Sequence, residues 1–247
     1  MTMTIDYDHQ ATKWHRDEPK HKSDFCGRPE TYAIIESLGA DQIVLDIGCG
    51  EGYFTRKIAR IAKHVIGVDL SEEMIKLAIA REQIDTLGID YRVGNAVDLI
   101  SIKDSEIDLC VGTYITNYLN QEDLLKFYKE ISRVTKSRGK FILLMPHPIL
   151  ELITDFGDAA KYEIDTYDYI KSRGKQFKAK LKTVQGDFFE VGVIHTTLQD
   201  HFTAILNAGL KVLNIKEPVF PEEIADQYAL FNKIRGKVAC MIIIGEK

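Results

Sequence analysis

Short apolar runs alternate with segments of helical periodicity along most of the chain. The run Ile43–Ile47 ends in glycines, Tyr53–Ala62 carries apolar side chains at helical spacing, and Val65–Val68 is a second run closed by Asp69. That order predicts strand, helix, strand. Ser71 followed by Glu72 and Glu73 opens the next helix, since a hydroxyl oxygen can cap the first exposed amides and early acids oppose the positive end of the helix dipole. Further strands are predicted over Ile89–Val93, Ile107–Gly112 and Lys140–Met145, with a helix over Leu124–Val134. Such alternation implies an α/β fold whose parallel strands are joined by right-handed crossovers.

After Pro146 the rhythm breaks. Phe177–Thr183 alternates Lys178, Lys180 and Lys182, which on an exposed strand discourage edge pairing, with Phe177, Ala179 and Leu181, and Gln185-Gly186-Asp187 reads as a turn into a partner strand over Phe188–Thr196. The alternation puts Phe189, Val191, Val193 and His195 on one face of that strand. This predicts an antiparallel insertion after the fifth strand. The helical pattern resumes over Leu198–Ala208 and stops at Gly209, and Leu210–Ile215 and Val238–Ile244 complete the strands. Residues 1–30 are polar and broken by Pro19 and Pro29, as expected of an arm with short helices. The expected division is an arm over 1–30, a main domain over 31–147 and 198–247, and a cap over 148–197.

Composition changes this picture little. With 247 residues, 45% apolar and 28% charged, the chain suits one globular unit. A net charge of -5 gives no long-range attraction for polyanions, so nucleic acid is not the expected partner. Cys26, Cys49, Cys110 and Cys240 form no C-x-x-C pair and read as reduced, buried thiols. There is no apolar run of membrane-spanning length and no signal-peptide pattern at the start, so a cytoplasmic location without membrane association is expected. Nor does a metal site suggest itself. His9, His15 and His21 are spaced so that they cannot share one helical face, and no H-E-x-x-H is present.

The chemistry concentrates at Val44-Leu45-Asp46-Ile47-Gly48-Cys49-Gly50-Glu51-Gly52. Glycines at alternate positions let a backbone pass close to a ligand, where a Cβ would obstruct it or forbid the dihedrals. The dinucleotide fingerprint would need glycine at position 53, and Tyr53 stands there. Asp69, at the tip of the second strand, is placed to accept hydrogen bonds from a ribose diol.

This loop, followed by Val65-Ile66-Gly67-Val68-Asp69-Leu70-Ser71-Glu72-Glu73-Met74, resembles the first two motifs of class I S-adenosylmethionine-dependent methyltransferases. The resemblance is good over roughly residues 30 to 147 and looser beyond. It implies a Rossmann-like, seven-stranded, mostly parallel sheet with an antiparallel last strand and helices on both faces. It further implies S-adenosyl-L-methionine as cofactor, with the methionine moiety along Asp46, Gly48, Cys49, Gly50 and Gly52, the ribose on Asp69, and the adenine bordered by Leu70 and Met74. Asn95 and Ala96 stand where such proteins often carry an Asp-Ala pair for the adenine amino group. Lys136-Ser137-Arg138-Gly139-Lys140 replaces a common Lys-Pro-Gly-Gly turn.

Methyl transfer from a sulfonium is an in-line displacement that needs alignment and no protein nucleophile. A base is needed only if the acceptor carries a proton. His147, between Pro146 and Pro148 at the end of the fifth strand, and His195, just before the late helix, are the candidate bases. Tyr114 and Tyr118 are candidates for the acceptor pocket, and Tyr7, Trp14 and Arg28 can close over the ligands from the arm, Arg28 offering a partner for a carboxylate. The expected activity is methylation of O, N or C of a small molecule. Oligomeric state is not encoded in any pattern found here. A nicotinamide-dependent oxidoreductase, disfavoured by Tyr53, and a non-catalytic S-adenosylmethionine-binding partner protein are the alternatives.

Overall fold

The computed structural model describes residues 7–152, 154–164 and 166–247, except for the side chains of Tyr7, His9 and Gln10. The arm comprises α1 (Tyr7–Trp14) and α2 (Lys22–Phe25), and α3 (Gly27–Ser37) leads into the first strand. Then follow β1 (Ile43–Ile47), α4 (Tyr53–Ala59), β2 (His64–Asp69), α5 (Glu72–Ile84), β3 (Asp90–Val93), β4 (Ile107–Thr113), α6 (Gln121–Val134) and β5 (Thr135–Met145). The insertion contributes β6 (Ala160–Glu163), β7 (Gln176–Lys182) and β8 (Phe188–Ile194). The chain closes with α7 (Leu198–Asn207), β9 (Lys211–Lys216), α8 (Glu222–Gln227) and β10 (Met241–Glu246).

The main sheet has seven strands in the order β3-β2-β1-β4-β5-β10-β9. Neighbours are parallel from β3 to β5, and β10 runs antiparallel to both β5 and β9, as expected for the last strand. Strand order reverses between β1 and β4, so the carboxyl ends of these two strands open a crevice. The central strands are covered on both faces and are therefore continuously apolar rather than alternating. Val44, Leu45 and Ile47 of β1 and Leu109, Cys110 and Val111 of β4 are all fully buried. Phe127, Tyr128 and Ile131 of α6 with Ile205 of α7 cover one face, and Ile35 of α3, Phe54 and Ile58 of α4 and Phe231 cover the other.

Local signals set several boundaries. Ser71 Oγ accepts from the Met74 N–H at 3.1 Å, which starts α5, and Thr197 and Asp200 form a reciprocal cap at the start of α7. Helix α4 stops at Ala59, short of the apolar pattern that runs to Ala62. Strand β5 begins at Thr135, directly after α6, where it pairs with Ile107 of β4; Arg138 takes a left-handed φ of 62° within the strand, where that pairing shifts register. The segment expected as a free turn is thus part of the strand.

The insertion holds three strands, in the order β6-β7-β8, where the alternation pattern predicts two. Strand β6 is too short to leave a periodic signature. Its partner β7 is consequently the central strand, so Lys178, Lys180 and Lys182 do not protect an edge. They occupy a solvent face, where Lys180 pairs with Glu190 of β8 at 3.8 Å and Lys182 lies 5.2 Å from the centroid of the Phe188 ring. Phe189, Val191 and Val193 turn inward with Ala179, and Trp14 of the arm packs on them.

Candidate active site

Gly48, Gly50 and Gly52 all have positive φ, at 75°, 56° and 84°. Two physical reasons separate them. A Cβ on Gly52 would overlap the hydroxyl of Tyr91, so this position is fixed by close approach. A Cβ on Gly50 would meet nothing within 4 Å, so there the requirement is the backbone conformation alone and the loop presents an open face. The Gly50 N–H donates to Asp69 Oδ2 at 2.8 Å and the Ser71 N–H to Asp69 Oδ1 at 3.0 Å. Burial raises the Asp69 carboxyl above the usual range, and these backbone donors oppose the rise. Each oxygen keeps a lone pair for a further donor.

Leu70 beside it is 70% exposed, whereas Met74 is buried. Asn95 Oδ1 accepts from the Val97 N–H at 3.1 Å, which tightens the turn after β3 and leaves its amide NH2 outward; Ala96 is buried. The Cys49 thiol is buried and its pKa is pushed well up by desolvation, then by Asp69 and Asp46, so it is inert. Asp46 is buried. Its Oδ2 accepts from Thr55 Oγ1 at 2.7 Å, Oδ1 has no partner among the described residues, and burial raises its pKa to about 6.

The arm is pinned to this loop by a network no sequence pattern foreshadowed. Arg16 makes a two-pronged contact with Asp24, at 2.9 and 3.0 Å, and also donates to Glu51 Oε1 at 3.3 Å. Arg56 holds the other Glu51 oxygen at 3.1 Å. The Arg16 guanidinium also lies 4.1 Å from the Tyr53 ring centroid. Arg28 donates to Ser23 and Asp24 and lies within 3.5 Å of Thr113 Oγ1 at the end of β4, and its Nε has no partner among the described residues. Tyr114, next in the chain, holds a left-handed φ of 61°, costly for an aromatic residue, and its buried hydroxyl has no partner among the described residues. The Tyr7 side chain lies outside the described residues. Trp14 packs in the seam between arm and cap, 4.4 Å from Phe189 and 5.2 Å from His21.

A cleft opens at the carboxyl edge between the turn Thr116–Tyr118, the end of β5 and the end of β8. His147 and His195, far apart in sequence, both line it, together with Asn117, Glu151 and His201; Tyr118 is half-buried in the turn. His147 Nδ1 accepts from the N–H groups of Ile149 and Leu150, both at 3.2 Å, and Nε2 meets Glu217 at 2.8 Å. Both its nitrogens are therefore engaged in holding the turn after β5. His195 Nε2 lies 2.8 Å from the Tyr169 carbonyl, which can only accept, so the proton is on Nε2. Desolvation lowers its pKa, and in the neutral ring Nδ1 keeps its lone pair. His195 is thus the better placed of the two to take a proton.

Glu151 and Asn117 escaped the sequence reading, since neither belongs to a motif. Glu151 becomes visible only through its tertiary partners, Lys22 of α2 and the hydroxyl of Tyr162 in β6. Among the described residues no cluster could hold a metal ion.

Comparison with known proteins agrees with this geometry. Residues 45–143 match the family described as a methyltransferase domain. The chain is 33% identical over 99 residues to a ubiquinone biosynthesis O-methyltransferase of Maricaulis maris, which covers 40% of this chain and 38% of that protein. It is 30% identical over 120 residues to phosphoethanolamine N-methyltransferase 1 of Triticum aestivum, covering 47% of this chain and 23% of that one. These matches span less than half the length of the curated relatives. Among solved structures, an S-adenosylmethionine-dependent methyltransferase from Mesorhizobium loti superposes with a TM-score of 0.64 at 18% identity, over 88% of this chain and 96% of that one. One from Clostridium acetobutylicum gives a TM-score of 0.64 at 17% identity, over 97% and 95%. At such identities the likeness is one of fold. The architecture is the one seen in these two solved structures.

Proposed function

We propose that this chain is an S-adenosylmethionine-dependent methyltransferase acting on a small molecule, with the arm and the 148–197 cap enclosing the acceptor. One observation carries the reading. At the crevice where strand order reverses, an open glycine backbone is tied to the acid ending β2, through the Gly50 N–H and Asp69 Oδ2.

The polar groups around this loop fit an adenosyl amino acid. Unpartnered Arg28 Nε suits a carboxylate, unpartnered Asp46 Oδ1 suits an ammonium, the spare lone pairs of Asp69 suit ribose hydroxyls, and exposed Leu70 suits the face of a purine. When bound, the cofactor supplies an electrophilic methyl on a sulfonium. The chain's own task is to align the acceptor and remove a proton, for which His195 Nδ1 is the candidate. Tyr114, Tyr118 and Trp14 are proposed to bound the acceptor's space, with Met74 toward the cofactor. No helix among the described residues is long and apolar enough to cross a membrane. A cytoplasmic location is part of the proposal, supported by four cysteines that are all free.

Calorimetry with S-adenosylhomocysteine tests the cofactor assignment. Micromolar binding is expected, and no detectable heat at millimolar ligand would end it.

A further inference from the structure

The cleft that contains His195 has a distinct charge character. Among the described residues, no lysine or arginine lines it, and Glu151 is its one carboxylate. Its histidines do not supply positive charge. His195 and His201 are driven toward the neutral form by burial, and His147 uses Nδ1 as an acceptor for two backbone N–H groups. Asn117, 7% exposed, presents an amide oxygen with no partner among the described residues. The wall therefore offers acceptors: a carboxylate, an amide oxygen and the lone pair of His195 Nδ1. A buried acceptor left unmatched, as Asn117 Oδ1 is among the described residues, is costly, and the Glu151 oxygens keep lone pairs beyond those taken by Lys22 and Tyr162, so the complementary ligand is a donor. A carboxylate or phosphate would meet Glu151, and the cation beside it, Lys22, does not line the cleft and is already held by that carboxylate.

We infer that the cleft recognises a small amine in its protonated form, held by Glu151 and Asn117, with His195 Nδ1 placed to take its proton. This deepens the methyltransferase reading and rests on it for the fate of the nitrogen. The proton balance is simple: an N–H bond of the ammonium breaks, an Nδ1–H bond forms on the imidazole, and a neutral nitrogen with a free lone pair remains. Glu151 is already steadied from behind. Lys22 Nζ lies 3.3 and 3.4 Å from its two oxygens and Tyr162 donates to Oε1, so the carboxylate is fixed in direction. Because Lys22 belongs to α2, the arm contributes to acceptor recognition without lining the cleft.

The test is ligand-observed NMR on the whole chain, with and without S-adenosylhomocysteine, using two matched sets: phenethylamine, phenethyl alcohol and hydrocinnamate, and butylamine, butanol and butyrate. In at least one set the amine is expected to bind about tenfold more tightly than its alcohol, with no binding of the acid. Glu151→Gln should reduce amine affinity by about tenfold, and Asn117→Asp, which adds a carboxylate without changing shape, should raise it. The two variants move affinity in opposite directions, so a folding defect in one does not remove the test. Binding of the acids in preference to the amines, no amine bound by either form of the protein, or amine affinity indifferent to Asn117→Asp would overturn the inference. Failure of S-adenosylhomocysteine to bind would instead strike the cofactor assignment, because the amine measurements are also made without it.

Discussion

Arg16 and Glu51 meet at 3.3 Å beneath the arm, with both side chains almost wholly buried. One belongs to the polar N-terminal segment and the other to the glycine loop, so the contact makes the arm part of the loop's wall. Arg56 holds the remaining Glu51 oxygen and Asp24 balances Arg16, giving a buried network in which every charge has a partner. Burial lowers the Arg16 pKa, while Asp24 and Glu51 act to keep it charged.

Glu51→Gln should therefore destabilise the protein by about 3 kcal/mol, since it leaves two buried guanidinium groups short of a counter-charge. Urea denaturation measures this directly. A midpoint within error of the wild type would mean that the network contributes no net stability. S-adenosylhomocysteine affinity should fall in parallel, as the arm loosens from the loop.

Gly50→Ala separates conformation from space. The new methyl meets no protein atom, so the stability cost is that of a left-handed φ, about 1 kcal/mol. The loss of ligand affinity should exceed that cost, because the methyl projects from the open face of the loop. Equal losses in thermal stability and in calorimetric affinity would argue that the ligand passes elsewhere.

Asp69→Asn keeps the size of the side chain but leaves one oxygen where two now accept from the Gly50 and Ser71 amides. We expect S-adenosylhomocysteine affinity to drop by about tenfold or more with little change in circular dichroism. Undiminished affinity would remove Asp69 from the ribose site.

His201 should contribute a loss of stability on the acid side of neutrality, opposed below about 6 by Asp46, whose raised pKa favours the folded state as it protonates. Its ring is buried between Tyr128 Oη and Thr196 Oγ1, each at 3.0 Å, and burial lowers its pKa from 6.5 to about 4. The unfolded chain binds this proton below 6.5 and the folded chain resists it until about 4, so stability is full above 6.5 and is lost as pH falls through that window. At about 1.4 kcal/mol per pH unit the loss amounts to about 3 kcal/mol. His201→Gln should remove that contribution, so that between pH 6.5 and about 4 the unfolding midpoint of the variant rises relative to that of the wild type as pH falls, and parallel profiles would assign the pH dependence to other groups.

The two cleft histidines should behave differently when replaced. His195→Gln is expected to lower turnover of a protonated acceptor by about a hundredfold with binding retained. His147→Gln should act mainly on stability, through the turn after β5. Equal losses of turnover in both variants would contradict the distinction drawn from their hydrogen bonds.

Much of this was legible along the chain. The strand Ile43–Ile47, the glycines, the helix and the strand ending at Asp69 follow one another within a short stretch, and each is fixed by local periodicity or backbone demand. The inward face of β8, from Phe189 to His195, was equally readable, because alternation is a local property. Strand β6 was not, since its existence depends on pairing with β7 rather than on its own residues. The central position of β7 followed from the same pairing and reversed the meaning of its lysines.

The sequence by itself thus determined the order of strands and helices, the shape of the glycine loop and the acid that faces it, all within reach of short-range geometry. Tertiary structure decided which candidates have atoms to spare. The folded chain occupies His147 on both nitrogens, with the neighbouring Ile149 and Leu150 amides and the distant Glu217, fixes the tautomer of His195, and leaves Asp46, Arg28, Tyr114 and Asn117 with polar atoms unmatched among the described residues. It also brought Glu51 under Arg16 and Glu151 beside Lys22. Charges separated by so many residues find each other only when burial removes water as the competing partner, and no spacing along the chain records that.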